Sequence, residues 1–396
     1  MIAVHVLAVI GGIVVVLATL ISALETVVLP RERFTHIARF VFAVVDRLLI
    51  RKWRNKDREA NLRALYAPVA LVSLPLVWMA IVTAGFSFIY WGTGHESATR
   101  AFKVSGSSLF TLGFAEPDGF GRIWLTFVEA TIGLGLVALL ISYLPTIYAA
   151  HHEREKGITA LRPFSGTPAD PVGLLGNLQR VGALDNPDLW RTATNWLLEL
   201  DQTHSSFPAL SYFPEATPEQ SWVASVGTML DGAALLISVS WSTGEEFPTD
   251  ADKGPMLALA YGIPAMARIG SAASLPIDRG VLAVNLMSRF GEPAPEVSIR
   301  REEYLAALER LPTLVTVADE ELEACWRRFA WIRSGYDRAL RGLAGLTMAT
   351  TAPWTTDRPA TVGRPRLVTQ RPIRVDWGFE GTGATEARPA GSARVD

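Results

Sequence analysis

The sequence predicts an all-α membrane protein: three transmembrane helices with one re-entrant pore loop, followed by an all-α cytosolic domain. Three observations carry this prediction. The chain has 396 residues, 49 % of them hydrophobic, and its mean hydropathy is +0.23, with most of the apolar residues falling before His151. Three stretches reach the ~20 apolar residues that a bilayer-spanning helix needs. Between the second and third lies a polar, glycine-containing segment, Ser105 to Ala115, reading Ser-Gly-Ser-Ser-Leu-Phe-Thr-Leu-Gly-Phe-Ala. Backbone that is neither helix nor barrel survives at membrane depth only when buried in protein or lining a watery path. A loop of this composition therefore suggests a pore.

The first span, residues 1–29, has no basic residue before its apolar run and no small-residue cleavage site, and reads as a retained anchor. Residues 30–65 form a basic loop holding Arg31, Arg33, Arg39, Arg47, Arg51, Lys52, Arg54, Lys56, Arg58 and Arg63. The positive-inside rule places this loop in the cytoplasm and the N-terminus outside. Within it, Phe34 to Trp53 carries apolar residues at helical spacing, which fits a helix on the membrane surface or a connector packed on the cytosolic domain. Glu25 could pair with Arg31 or Arg33. The second span runs from Tyr66 to Trp91 and contains Pro68 and Pro75; the third runs from Ile123 to Ala149. Tyr90, Trp91 and Trp124 fall where an outer aromatic belt is expected.

Between these two spans, Ala98 to Phe110 fits a short re-entrant helix, followed by Thr111-Leu112-Gly113-Phe114-Ala115 and the turn Glu116-Pro117-Asp118-Gly119. Glu129 lies inside the third span, where an acidic residue is costly and is a functional candidate by default. It either braces the back of the loop or sits at the interface. Gly133 and Gly135 are candidates for a gating hinge or for close helix packing.

Outer helix, pore helix, filter and inner helix, in this order over residues 66–150, resemble the two-helix pore module of the potassium channel superfamily. The chain is similar to bacterial membrane proteins described as two-pore-domain-like or ion-channel-like, although only one pore loop is visible. Thr111, Leu112, Gly113, Phe114 and Ala115 fall where that family has Thr-Val-Gly-Tyr-Gly. The resemblance implies a selectivity filter there, with backbone carbonyls replacing the water shell of a monovalent cation, potassium first among them. It also implies Phe114 bracing the loop against surrounding helices, and four chains around one axis. Glu96, Glu116 and Asp118 would ring the outer mouth with negative charge. The filter is atypical: Ala115 replaces the family's second glycine, and if that position needs positive φ, alanine there costs on the order of 1 kcal/mol. Phe110 stands where the family usually has a second threonine.

Residues 151–352 alternate helical patterns with Pro/Gly punctuation and read as a helical cytosolic domain. The expected helices are Pro171–Val181, Asp188–Thr203, Pro218–Trp241, Lys253–Gly270, Ile277–Phe290, Arg300–Leu311 and Asp319–Leu346. Val223 to Val239 is apolar enough to raise a fourth span, but Asp231 within it favours a buried core helix. Residues 353–396 read as a largely disordered tail, with Trp354 and Trp377 available to pin parts of it.

The remaining composition narrows the functional classes. A net charge of -2 gives no reason to expect nucleic-acid binding, and a lone Cys325 excludes an intramolecular disulfide. There is no metal-ligand spacing, phosphate loop or nucleophile elbow, so neither a catalytic site nor a cofactor is expected. Asp201 and His204 raise a hydrolase, but a capping or buried hydrogen-bonding role suits His204 better. The reading is a pore-loop cation channel of the cell membrane, self-associating as a homotetramer among membrane lipids, with a cytosolic domain for an unknown ligand or protein. A non-conducting membrane-anchored scaffold with a degenerate pore loop is the alternative.

Overall fold

The computed structural model describes residues 2–27, 37, 40–42, 44–45, 56–93, 97–213, 215, 220–241, 250–277, 283–311, 317–362 and 375–376. Among the described residues the regular structure is helical apart from a two-residue ladder pairing Thr361–Val362 with Val375–Asp376. Among the described residues four helices, not three, are long and apolar enough to cross a membrane by length and composition.

In the first half, α1 (Ile2–Val27) lies along α2 (Lys56–Thr93). Gly12, Val16, Thr19 and Ala23 of α1 are buried, and a Cβ on Gly12 would come within 2.5 Å of the Gly85 carbonyl. Small residues let the two backbones approach, the usual device where lipid removes any hydrophobic drive between helices. α2 continues through Pro68 and Pro75. The short α3 (Ala98–Leu109) and the 46-residue α4 (Phe120–Ser165) follow. At 1.5 Å per residue α4 is about 70 Å long, more than twice the ~30 Å hydrocarbon thickness. It serves as both the third span and the first helix of the second half.

The described part of the basic loop is helical at Ile37, Phe40, Val41, Phe42, Val44 and Val45. Val41, Phe42 and Val45 are buried together with Leu210 and Phe213 of the second half, so the apolar side of this segment packs on protein. Arg31 and Arg33, the partners expected for Glu25, lie outside the described residues.

The second half comprises α5 (Pro171–Arg180), α6 (Pro187–Ser206), α7 (Trp222–Ser240), α8 (Asp250–Ala272), α9 (Ala283–Met287), α10 (Arg301–Glu309), α11 (Leu322–Ser334) and α12 (Asp337–Thr347). The fourth long apolar helix is α7. Its apolar window is 89 % buried inside the protein, against 17 % for α1 and α4, because α5, α8, α11 and α12 pack around it. Asn186, not Asp188, caps α6: its side chain accepts from the Asp188 N–H at 2.9 Å.

The single helix expected over Asp319–Leu346 is broken between α11 and α12. The break seats Tyr336 in the core with its hydroxyl donating to Asp231 at 2.6 Å. The domain also runs past residue 352. Thr355 and Thr356 are buried, and the Trp354 carbonyl accepts from Arg333 at 2.9 Å. Trp354 thus pins the start of the tail, whereas Trp377 lies outside the described residues.

Candidate functional site between α2, α3 and α4

α3 starts at Ser97, whose side chain accepts from the Arg100 N–H at 3.3 Å. Its buried face is mostly small and polar: Ala101, Val104, Ser105, Ser107, Ser108 and Leu109. This lets it enter the angle between α2 and α4. Ser105 sits level with Thr83 of α2 and Glu129 of α4, each about 15 Å from the end of its helix nearest α3's start. Leu109 sits level with Gly133, about 20 Å along α4. The short helix therefore descends well into the bundle before the chain turns back.

Glu129 is the knot of this arrangement. It is completely buried and accepts from the Tyr90 hydroxyl at 3.0 Å and from Ser105 Oγ at 2.5 Å. Ser105 Oγ also lies 2.9 Å from the Thr83 carbonyl. One carboxyl thus joins three helices, which suits the bracing role and rules out a snorkelling side chain. Tyr90, expected in an outer aromatic belt, instead turns inward onto Glu129, while Trp124 remains exposed.

Gly133 is a close-packing glycine: a Cβ there would fall 2.1 Å from the Leu109 carbonyl oxygen. Gly135 is exposed, with nothing within 4 Å of such a Cβ, so no contact within the chain constrains it.

The chain leaves α3 through Phe110 and returns as residues 111–119. The Thr111 N–H donates to the Ser108 carbonyl at 3.0 Å, and those of Leu112 and Gly113 to the Ser107 carbonyl at 2.8 and 3.4 Å. The Ala115 N–H donates to Ser107 Oγ at 3.0 Å. In a planar trans peptide the carbonyl of one residue points opposite to the N–H of the next. The carbonyls of Phe110, Thr111, Leu112 and Phe114 are therefore turned away from α3. Positive φ at Thr111 (54°) and Gly113 (69°) makes this one-sided arrangement possible. Glycine adopts such a conformation freely, but for a β-branched threonine it is a strained outlier. The strain anticipated at Ala115 is absent, because Ala115 does not have positive φ; the demand falls on Thr111.

Ser105 and Ser107, which fix the brace and the loop, carry no role in the sequence reading. The available signal is three hydroxyls within four residues, Ser105, Ser107 and Ser108, at the end of the short helix.

The loop's side chains are uncovered by their own chain. Leu112 is 63 % exposed and Phe114 65 % exposed, so Phe114 does not brace the loop against helices of the same chain. Asp118 is paired with Arg100 at 3.0 Å, which offsets its charge locally. Glu116 is exposed. Glu96 lies outside the described residues. Arg100, Lys103 and Arg122 share this end with Glu116 and Asp118, so the described rim carries both signs.

Elsewhere, Asp201 and His204 form no pair. Asp201 is held by Arg268 at 2.9 Å and by Ser205, while His204 is fully buried against Trp222, its ring Nδ1 3.1 Å from the Leu200 carbonyl. Cys325 is buried. Among the described residues no group of three or more His, Cys, Asp and Glu side chains is arranged to hold a metal ion.

Comparison with protein-family models, with curated proteins and with solved structures gives no match. The fold and the site define a class: a helical protein with membrane-spanning character, joined through one continuous helix to a separate helical domain.

Proposed function

We propose that the chain is the subunit of a pore-loop cation channel, with residues 111–115 as the ion-contacting segment and the second half as a regulatory or assembly domain. The observation that carries the reading is the row of carbonyls at Phe110, Thr111, Leu112 and Phe114. They face away from α3 on a non-helical segment that returns from deep between α2 and α4. Such groups need protein or water at membrane depth, and a dehydrated monovalent cation, potassium foremost, is matched by a ring of them.

On this reading the uncovered Leu112 and Phe114 side chains pack on neighbouring copies, four chains close the ring, and Glu129 holds the loop from behind without touching the ion. The membrane is the cell membrane, with the N-terminus outside and residues 151–396 in the cytoplasm, as the basic residues of 30–65 favour. Purified protein reconstituted in liposomes should dissipate a potassium gradient, and Gly113→Val should abolish that flux while the protein still folds. Absence of flux from a tetrameric preparation, across pH, voltage and both membrane orientations, would contradict it.

The Arg100–Asp118 pair supports the second reading, a non-conducting membrane-anchored scaffold, because it removes one acidic charge from the rim. That reading predicts an unaltered cellular phenotype for Gly113→Val.

A further inference from the structure

The two halves meet at one turn. Directly after α6, Phe207 to Phe213 wedges against α4 from Tyr143, inside its apolar span, to Arg154, just beyond it. Phe207 packs on Tyr143 with ring centroids 5.8 Å apart, Phe213 on Tyr148 at 5.9 Å and on His151 at 5.5 Å, and Tyr212 on Phe42 at 6.0 Å. Leu210 is fully buried within the core of the membrane half.

The turn is locked by a single cation. Arg154 of α4 is buried, and its guanidinium donates to the Leu210 carbonyl at 3.0 Å and to the Phe213 carbonyl at 3.3 Å, while Glu155 accepts from it at 2.9 Å. Burying an arginine so that it can grip two backbone carbonyls of one turn makes this contact a fastening between the domain and the long helix.

The surroundings of the fastening carry titratable groups that the channel reading does not use. His204 occupies the last turn of α6, completely buried and stacked on Trp222 at 4.8 Å. A carbonyl can only accept, so the ring's proton sits on Nδ1, facing the Leu200 carbonyl. Among the described residues Nε2 has no hydrogen-bond partner, and it is buried. A proton added there would meet no acceptor among them and would share its surroundings with the Arg154 guanidinium. From α4, His151, Arg154 and Glu155 face this region. From the segment after the turn comes Glu215, and on α6 itself Asp201 is occupied by Arg268.

We propose that the 207–213 turn is an acid-released latch: protonation of His204 beside buried Arg154 frees the turn from α4 and uncouples the helical domain from the membrane half. The sign follows from burial. Burial, followed by the nearby Arg154 charge, pushes His204 down to about 3 from its ordinary 6.5. The latched state is therefore at full strength above 6.5 and weakens as pH falls below it. Between pH 7.5 and pH 5 this one group favours release by about thirtyfold. Glu215 acts in the opposite sense, because burial raises its carboxyl and acidification relieves the cost of keeping it inside.

The latch stands independently of conduction, and its test reads structure instead of flux. Hydrogen–deuterium exchange on the full chain in lipid nanodiscs, converted to protection factors, should show protection of 207–213 lower at pH 5 than at pH 7.5, with 222–240 unchanged; His151, which burial pushes down to about 4, adds to the His204 effect and Glu215 subtracts from it. His204→Gln should shrink that response by about thirtyfold. Glu215→Gln should enlarge it, and carries the test should His204→Gln fail to fold. Equal protection at both pH values overturns the latch, as does an equal loss across 222–240, an undiminished response in folded His204→Gln, or a response in Glu215→Gln no larger than wild type.

Discussion

Glu129 and Asp231 set the same physical problem in the two halves of the molecule, and the chain solves it in two ways. Each is a carboxyl on an apolar helix, fully buried. Asp231 is answered with charge: Arg333 grips both its oxygens, Tyr336 donates at 2.6 Å, and the same guanidinium reaches Asp337 at 2.9 Å and the Trp354 carbonyl at 2.9 Å. Glu129 is answered with neutral hydroxyls, those of Tyr90 and Ser105. The second half holds a buried ion pair, and its one arginine fastens α7, α11, α12 and the start of the tail together. Between membrane helices, where a second charge would add its own desolvation cost, hydroxyls do the joining.

The comparison breaks most decisively at Asp231. Asp231→Ala leaves buried Arg333 with Asp337 as its carboxylate partner and the Tyr336 hydroxyl without its acceptor, and thermal unfolding of the second half should report a loss of about 3 kcal/mol. Replacing Asp231, Arg333 and Asp337 together by leucine should cost less than the alanine variant alone. A triple variant as damaged as the single one would show that the cluster's value is not electrostatic.

At Glu129, Glu129→Leu takes the acceptor from the buried Tyr90 hydroxyl, at about 1–3 kcal/mol, and leaves Ser105 with the Thr83 carbonyl alone. Glu129→Gln keeps an acceptor and should lose much less. Solvent-accessibility labelling of cysteines placed on α3 would show the leucine variant opening and the glutamine variant closed. Equal behaviour of the two would deny the brace.

Gly133→Val pushes a side chain into the Leu109 carbonyl and should cost about 1–3 kcal/mol of bundle stability or more. Gly135→Ala meets nothing within the chain and should stay within about 0.5 kcal/mol in the same denaturation series.

The smallest effect is expected at the half-buried surface pair Glu303–Arg358, 2.8 Å apart. Hydrogen bonding to Arg358 holds the Glu303 carboxyl down at about 2, against an ordinary 4.5. Its contribution is therefore complete above 4.5 and is lost as pH falls toward 2. Glu303→Gln should flatten the acid limb in that window, because it loses the pair's modest contribution at neutral pH and converges with wild type as pH falls toward 2.

Much of this organisation is legible in the sequence, for identifiable reasons. Apolar length announced α1, α2 and α4, and Ala98–Phe110 was legible as a short helix from its position and polar spacing. Glycine takes positive φ without strain, so the sequence suits Gly113 to the conformation it has. Thr111 was not, because its φ is imposed by the hydrogen bonds to Ser107 and Ser108, which no local propensity records. Asp231 kept α7 from being read as a fourth span, but its partner lies 102 residues away and only the fold brings Arg333 to it. Tyr90 was assigned to the lipid interface because aromatic residues at span ends usually lie there; Glu129, one helix over, draws it inward. The link between the halves was the least legible, since Arg154 sits in an ordinary charged run, His-His-Glu-Arg-Glu-Lys, that reads as solvated surface.

The central claim is that the carbonyls of Phe110, Thr111, Leu112 and Phe114 face a shared ion path. Single-particle imaging of the intact protein in lipid tests it directly. The account predicts a fourfold particle in which the Thr111 and Leu112 carbonyls line the axis and Phe114 packs against a neighbouring chain. A monomer, or an assembly in which residues 110–115 lie at its periphery, would contradict it.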